Sequence, residues 1–208
     1  MTAHAGGAAL LCERSRLRAQ LRARRRAVSI PERASASRQF VRILRRSYLL
    51  RPGQRIALYV AHDHEADPQL IARLARRIRC QVYLPAIVDY RRRRMEFRLC
   101  SSAASLRPNR YGIAEPQPAA PRIAVRHLDL VLLPLVGVDA HGTRLGTGAG
   151  FYDRCLHHLR AGRRWRRPRL IGVAYDFQRV ASLTAGAWDV PLDALLTERD
   201  LHSFKGSP

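Results

Sequence analysis

The segment Leu128 to Val136, Leu-Asp-Leu-Val-Leu-Leu-Pro-Leu-Val, constrains the fold more than any other part of this chain. A run this apolar and this short reads as a strand covered on both faces, which is what the centre of a parallel sheet requires. Its neighbours alternate in kind. Arg55-Ile-Ala-Leu-Tyr-Val60 is a short apolar strand, and Pro68 to Ile78 is an amphipathic helix. Gln81 to Leu84 is a second strand that ends at Pro85, and Met95 to Leu99 alternates like a further one. A proline-rich stretch from Pro108 to Pro121 reads as a long loop. A helix begins near Gly150, Leu170 to Tyr175 is a buried strand, and Leu192 to Leu196 closes the set.

Upstream, residues 13–28 lack glycine and proline and carry Leu17, Leu21 and Val28 on one stripe, so they predict a helix. Ser29-Ile-Pro-Glu32 combines an N-cap serine, an early proline and a glutamate three residues on, which starts a second helix running to about Tyr48. Arg51-Pro-Gly53 stops it. Strand-helix alternation of this sort implies an α/β fold of three layers, α/β/α, with a mainly parallel, Rossmann-like central sheet and an N-terminal pair of helices. The expected organisation is one domain over residues 13–200, flanked by a disordered tail at 1–12 and a short one at 201–208.

Charge narrows the function classes. Lysine and arginine number 38 against 16 acids, a net of +22, and Lys205 is the only lysine. Residues 13–55 alone hold fourteen arginines against Glu13 and Glu32. Further clusters are Arg91 to Arg94 and Arg163, Arg164, Arg166, Arg167 and Arg169. Such a surface attracts polyanions, whether nucleic acid, an anionic membrane or a phosphorylated small molecule. Against a nucleic-acid module, aromatics make up only 7% of residues and none are interleaved with the arginines as stacking platforms. Nucleic acid is therefore expected to be at most an incidental partner. Cys12, Cys80, Cys100 and Cys155 form no Cys-x-x-Cys pair, no apolar run is long enough to span a bilayer, and the first residues lack a signal peptide's basic start. The expectation is a cytoplasmic protein that does not enter the membrane.

The chemistry concentrates in Asp139-Ala-His-Gly-Thr-Arg-Leu-Gly-Thr-Gly-Ala-Gly-Phe-Tyr-Asp-Arg154, which follows the central strand at the end where open parallel sheets bind ligands. Gly142, Gly146, Gly148 and Gly150 can turn successive N–H groups toward phosphate oxygens, and a helix N-terminus follows. Arg144 and Arg154 are candidate charge-assisted donors, and Asp153 is a carboxylate close to those phosphates, where a magnesium ion would need an oxygen ligand. Neither the dinucleotide Gly-x-Gly-x-x-Gly pattern nor the Gly-x-x-x-x-Gly-Lys-Ser/Thr loop is present.

The string Arg144-Leu-Gly-Thr-Gly-Ala-Gly-Phe-Tyr-Asp-Arg154, with Pro134 and Asp139 before it, resembles the signature of the 5-formyltetrahydrofolate cyclo-ligase (5,10-methenyltetrahydrofolate synthetase) family. Supporting segments fall in the family's order: Arg14-Ser-Arg-Leu-Arg18, Tyr59-Val60 with Glu65, Leu84-Pro85, Met95-Glu-Phe97, Tyr111-Gly-Ile-Ala-Glu-Pro116 and Trp188-Asp-Val-Pro-Leu-Asp193. The resemblance implies ATP-dependent closure of 5-formyltetrahydrofolate, with or without a polyglutamate tail, to 5,10-methenyltetrahydrofolate through a phosphorylated formyl group. By the same resemblance Arg14, Arg18 and Arg144, Leu145, Gly146, Thr147, Gly148, Ala149, Gly150, Phe151 and Tyr152 contact ATP. Val60, Glu65 and Thr147 to Phe151 contact the folate, Asp153 and Asp189 hold Mg²⁺, and Tyr152 with Arg144 faces the chemistry.

Bland readings stand beside these. Glu65, within His62-Asp-His-Glu65, is otherwise a solvated loop acid or part of a chance metal site. Tyr152 is otherwise a core aromatic, and Asp153 otherwise only favours a helix N-terminus. Met95 and Phe97 either line a pterin pocket or pack the core, and Glu115 either caps a turn or touches substrate. Two departures from the family pattern bear on the site: Arg14 replaces the usual lysine, and Trp188 precedes Asp189 where a polar residue is usual.

Overall fold

The computed structural model describes residues 3–102, 105–159, 168–186 and 188–204; Arg163, Arg164, Arg166 and Arg167 lie outside them. Helix α1 spans Ala3–Arg26 and α2 spans Ile30–Arg46. Helicity thus begins ten residues before the expected boundary at 13, in a stretch of alanines, leucines and few breakers that the sequence suggested was a loose tail. The junction between the helices is as expected. Ser29 Oγ accepts from Glu32 N–H at 3.4 Å while Glu32 Oε2 accepts from Ser29 N–H at 2.8 Å, a reciprocal capping box.

Strand β1 (Arg55–Ala57) is followed by α3 (Gln69–Arg77), β2 (Gln81–Asp89) and β3 (Arg94–Leu99). A short hairpin of β4 (Leu106–Pro108) and β5 (Ala114–Pro116) then precedes β6 (Arg122–Ile123), so the proline-rich stretch is not one continuous loop. Strand β7 (Leu130–Pro134) leads through a hairpin of β8 (Gly137–Val138) and β9 (Arg144–Leu145) to α4 (Phe151–Leu156). Strands β10 (Arg169–Val173), β11 (Ala194–Leu196) and β12 (Leu201–Ser203) complete the chain. Residues 201–203 therefore form an antiparallel edge strand on β11 where a tail was expected.

The main sheet has the order β12-β11-β10-β7-β1-β2-β3-β6. Its centre, from β11 to β2, is parallel, and β12, β3 and β6 add antiparallel edges. The three-layer reading holds. On one face Phe40 and Leu44 of α2 and Ile71 of α3 pack on Ile56, Leu132 and Ile171. On the other, Leu156 of α4, with Leu128 and Leu192, covers Ala57, Val131 and Leu133. The two helices of the N-terminal pair part company: α2 lies on the sheet, whereas Leu17 and Leu21 of α1 pack with Leu145 and Val136 beyond the sheet's carboxyl end.

Pro85 does not end β2. The last β1 pairing is at Tyr83, whose carbonyl accepts from Leu58 N–H at 3.0 Å. Two residues on, the backbone of Pro85 points to the same side, now past the end of β1. The missing N–H costs no ladder bond, and pairing with β3 continues through Pro85 and Phe97.

Gly142 turns the β8–β9 hairpin with φ +80°, and a Cβ there would lie 2.8 Å from Leu192 O and 2.9 Å from the Phe204 ring. Gly142→Ala is expected to cost about 3 kcal/mol, combining left-handed strain with overpacking. Gly53 has φ +78° with open space around it, so Gly53→Ala bears only the backbone strain, about 1–2 kcal/mol. Urea melts of the two variants check this; equal losses would contradict it.

Candidate active site

Five features at the carboxyl end of the parallel strands form one cavity of about 840 Å³. The first is the glycine-rich loop between β9 and α4. Its approach is braced from below: Gln178 Nε2 donates to Leu135 O and Val136 O at 2.9 and 3.0 Å. The buried Asp139 carboxylate accepts from the N–H groups of His141, Thr143 and Leu183 at 2.9, 2.9 and 3.1 Å. Gly148 and Gly150 take φ +99° and +73°, which favours glycine.

The second feature is α1. Arg14, Arg18 and Arg22 recur every four residues and so share one face. Arg18 Nε donates to Gly146 O and Arg22 Nη2 to Thr147 O, both at 2.9 Å. In a trans peptide the next N–H points opposite to the carbonyl. Anchoring these two carbonyls on α1 therefore turns the N–H groups of Thr147 and Gly148 away from it. An ideal Cβ on Gly146 or Gly148 would meet nothing within 4 Å, so the bare backbone fronts open space. Arg14 reaches Thr184 O at 2.9 Å and Asp189 Oδ2 at 3.3 Å. Arg14 and Arg18 do not themselves line the cavity.

Arg144 and α4 supply the third feature. The Arg144 guanidinium is buried, its Nη2 donates to Asp153 Oδ1, and it lies 5.9 Å from the centre of the Tyr152 ring. Both Tyr152 and Asp153 line the cavity. Burial, and next the charge of Glu65, push the Tyr152 hydroxyl well above the ordinary tyrosine range, with Arg144 opposing. At neutral pH it is an O–H donor and not a base.

The fourth feature is the loop after β1. Asp63 and His64 sit at φ +46° and +59°, a tight turn that brings Glu65 back over the cavity. Glu65 Oε2 accepts from His62 N–H at 3.1 Å, and only 11% of the side chain is exposed. Burial raises its pKa above the usual glutamate value, against the opposing pull of the His62 N–H and of Arg25 and Arg22. Val60 lines the same wall.

The fifth is an apolar wall: Pro85 and Ile87 of β2, Met95 of β3, and Tyr111 and Ile113 of the β4–β5 turn. Met95 and Phe97 separate here, Met95 lining the cavity and Phe97 packing the core at 1% exposure. Glu115 borders the cavity, and its Oε1 ties the hairpin to β2 by accepting from Ile87 N–H at 3.2 Å and Asn109 Nδ2 at 2.7 Å.

Of the residues singled out in the sequence, Val60, Glu65, Arg144, Gly146 to Phe151, Tyr152 and Asp153 all line the cavity. Leu145 does not line the cavity; its side chain is fully buried against Leu21 and Val136. Asp189 does not line the cavity; its Oδ2 accepts from Arg14 and from Gly186 N–H at 2.8 Å, beside Arg18. Sequence reading overlooked Arg22, although its spacing from Arg14 and Arg18 was a signal, and Arg25, one of three consecutive arginines. Five arginines face four carboxylates on the cavity walls, so most of the +22 excess lies on other surfaces.

The donors fit magnesium only in part. Among the described residues no three His, Cys, Asp or Glu side chains gather around a common point, which also disposes of the His62–Glu65 metal reading. Asp153 on the cavity wall suits the mode in which magnesium takes one or two carboxylates and completes its shell with substrate phosphates and water. No helix among the described residues is long and apolar enough to cross a membrane.

Residues 12–198 match the model of the 5-formyltetrahydrofolate cyclo-ligase family. The chain is 32% identical to 5-formyltetrahydrofolate cyclo-ligase of Haemophilus influenzae over 70% of its own length and 76% of the relative's. It is also 32% identical to the enzyme of that name from Escherichia coli K12, over 68% and 76%. Among solved structures, the 5,10-methenyltetrahydrofolate synthetase of Aquifex aeolicus superposes with a TM-score of 0.77 at 27% identity, covering 94% of each chain.

Proposed function

The chain belongs to the 5-formyltetrahydrofolate cyclo-ligase family and is an enzyme of that kind, and we propose that it closes the folate ring by phosphoryl transfer from ATP within the single cavity described above. The observation that carries this reading is the loop whose carbonyls are held by Arg18 and Arg22 while its N–H groups face away from α1. Phosphoryl transfer asks a protein mainly for positioning and charge neutralisation, and this loop offers both. A volume of 840 Å³ lies toward the upper end of the roughly 300–1,000 Å³ usual for ligand sites, which suits two ligands meeting end to end.

In the proposed sequence the formyl oxygen attacks the γ-phosphorus and ADP departs. N10 then attacks the activated carbon and loses its proton. The C–O bond breaks, and phosphate leaves carrying the former formyl oxygen. Thr147 and Gly148 N–H groups hold phosphate oxygens, and Arg144 meets the charge of the transferring group. Tyr152 donates its O–H to the oxygen at the reacting centre. Glu65 accepts from the pterin N–H groups, while Val60, Phe151 and Met95 pack against the ring. Arg14 and Arg18 act from behind the loop, and Arg26 and Arg33 offer cations to the carboxylate end of the folate, including any further glutamates. Asp153 would hold magnesium, which when bound neutralises charge on the terminal phosphates; Asp189, outside the cavity and engaged by Arg14, is not placed to join it.

The test is direct. Purified protein with 5-formyltetrahydrofolate and MgATP should produce the near-ultraviolet absorbance of the methenyl product, and no rise should occur without ATP. Absence of an ATP-dependent product from well-folded protein would overturn the reading. The pH profile follows from Glu65. Because burial raises its titration, the acceptor is lost as pH falls through a value above the ordinary glutamate figure of about 4.3. The acid limb of kcat/KM for the folate, which reports the free enzyme, should therefore lie above that value. A limb at or below it contradicts the assignment.

A further inference from the structure

Among the described residues, Arg25 is the most deeply buried charge that no role above uses. Only 2% of it is exposed, yet it lines the cavity beside Glu65. Its Nη2 donates to Asp63 Oδ2 at 3.1 Å, and Asp63 is also gripped by Arg26 at 3.0 Å. Its Nη1 lies 3.9 Å from Glu65 Oε1. That separation is close enough for strong attraction and too long for a hydrogen bond. Nε and Nη1 are buried without a hydrogen-bond partner among the described residues.

A guanidinium desolvated this far and left short of acceptors is poor structural design: an apolar side chain of similar volume serves a core as well or better. Its geometry makes sense as a compromise between two carboxylates. Asp63 draws the guanidinium back. Glu65 feels its charge but keeps Oε1 uncaptured, while Oε2 is fixed by the His62 N–H.

We infer that Arg25 is a positioning residue for Glu65: it holds that carboxylate as an anion in the cavity wall while leaving Oε1 free to accept from the substrate. The inference rests on Glu65 being the folate acceptor. The groups that face Glu65 are Arg22 and Arg25 from α1, Asp63 and the His62 N–H from its own loop, Tyr59 just beyond β1, and Tyr152 from α4. Of these, Arg25 is the cation that most strongly opposes the effect of burial.

The test uses the substrate-free protein first. With glutamate labelled at the side-chain carbon, the Glu65 carboxyl signal is identified by its loss in Glu65→Gln and titrated by NMR. Arg25→Met should raise its midpoint by about one pH unit or more, the usual effect of losing an opposite charge within about 4–6 Å. Arg25→Lys should restore most of it. Asp63→Asn, which releases Arg25 toward Glu65 and removes a like charge, should lower the midpoint. In turnover, Arg25→Met should raise KM for 5-formyltetrahydrofolate about tenfold with KM for ATP within about twofold, and should add little in the Glu65→Gln background.

A Glu65 midpoint unmoved in both Arg25→Met and Asp63→Asn overturns the inference. So does a KM effect that is fully additive with Glu65→Gln. If Arg25→Met does not fold, Arg25→Lys and Asp63→Asn still decide it. Lack of turnover in the wild-type protein would defeat the proposed reaction, while the titration would still judge Arg25 separately.

Discussion

Arg144→Met is expected to lower kcat by about 10³-fold or more while leaving a folded protein. Arg144 sits on β9 with its guanidinium buried between Asp153 and the Tyr152 ring. In a water-poor site a fixed cation aimed at developing charge is worth far more than in solvent. Removing one preorganised donor commonly costs about 10²–10³, and an arginine on a transferring phosphoryl group about 10³–10⁵. Arg144→Lys keeps the charge but loses the fork that meets two oxygens at once, so it should recover only part of the rate. Steady-state kinetics against both substrates, alongside thermal melts, make the check. A methionine variant within about tenfold of wild-type kcat would remove Arg144 from the chemistry.

Asp153→Asn should lower kcat by about 10²–10³-fold for a different reason. An amide oxygen can still accept from Arg144, so the buried pair is not left empty and the fold should persist. What is lost is the anionic oxygen on the cavity wall, and a hard divalent cation prefers a carboxylate to an amide. The magnesium concentration giving half-maximal rate should rise about tenfold or more in Asp153→Asn and stay near wild type in Arg144→Met. An unchanged magnesium requirement in Asp153→Asn would reduce Asp153 to an anchor for Arg144.

What was legible in the sequence was what local pattern encodes. β7 announced itself through continuous apolarity, and the Ser29–Glu32 cap through side chains that bond within one turn. The glycine loop was readable because positive φ at Gly148 and Gly150 demands that residue. The errors came where tertiary context overrode a local rule. Pro85 is a breaker by composition, yet lies where β2 has already lost its β1 neighbour. β12 is three residues with no signal of its own, made a strand by the exposed edge of β11.

The site divides the same way. Glu65 stood out as an acid after an apolar strand, but its burial depends on the turn at Asp63 and His64. Met95 and Phe97 share a strand face and differ only in how far along it the cavity reaches. Arg25 was invisible among its neighbours. In the sequence it is one of three consecutive arginines, and only the packing of α1 separates the buried one from the exposed Arg24 and Arg26.

The central claim is that the formyl oxygen itself takes the phosphoryl group. It is tested by running the reaction with 5-formyltetrahydrofolate carrying ¹⁸O in the formyl group and analysing the inorganic phosphate by mass spectrometry. The account predicts one ¹⁸O in each phosphate released, in step with methenyl product formed. Methenyl product accompanied by unlabelled phosphate would contradict it.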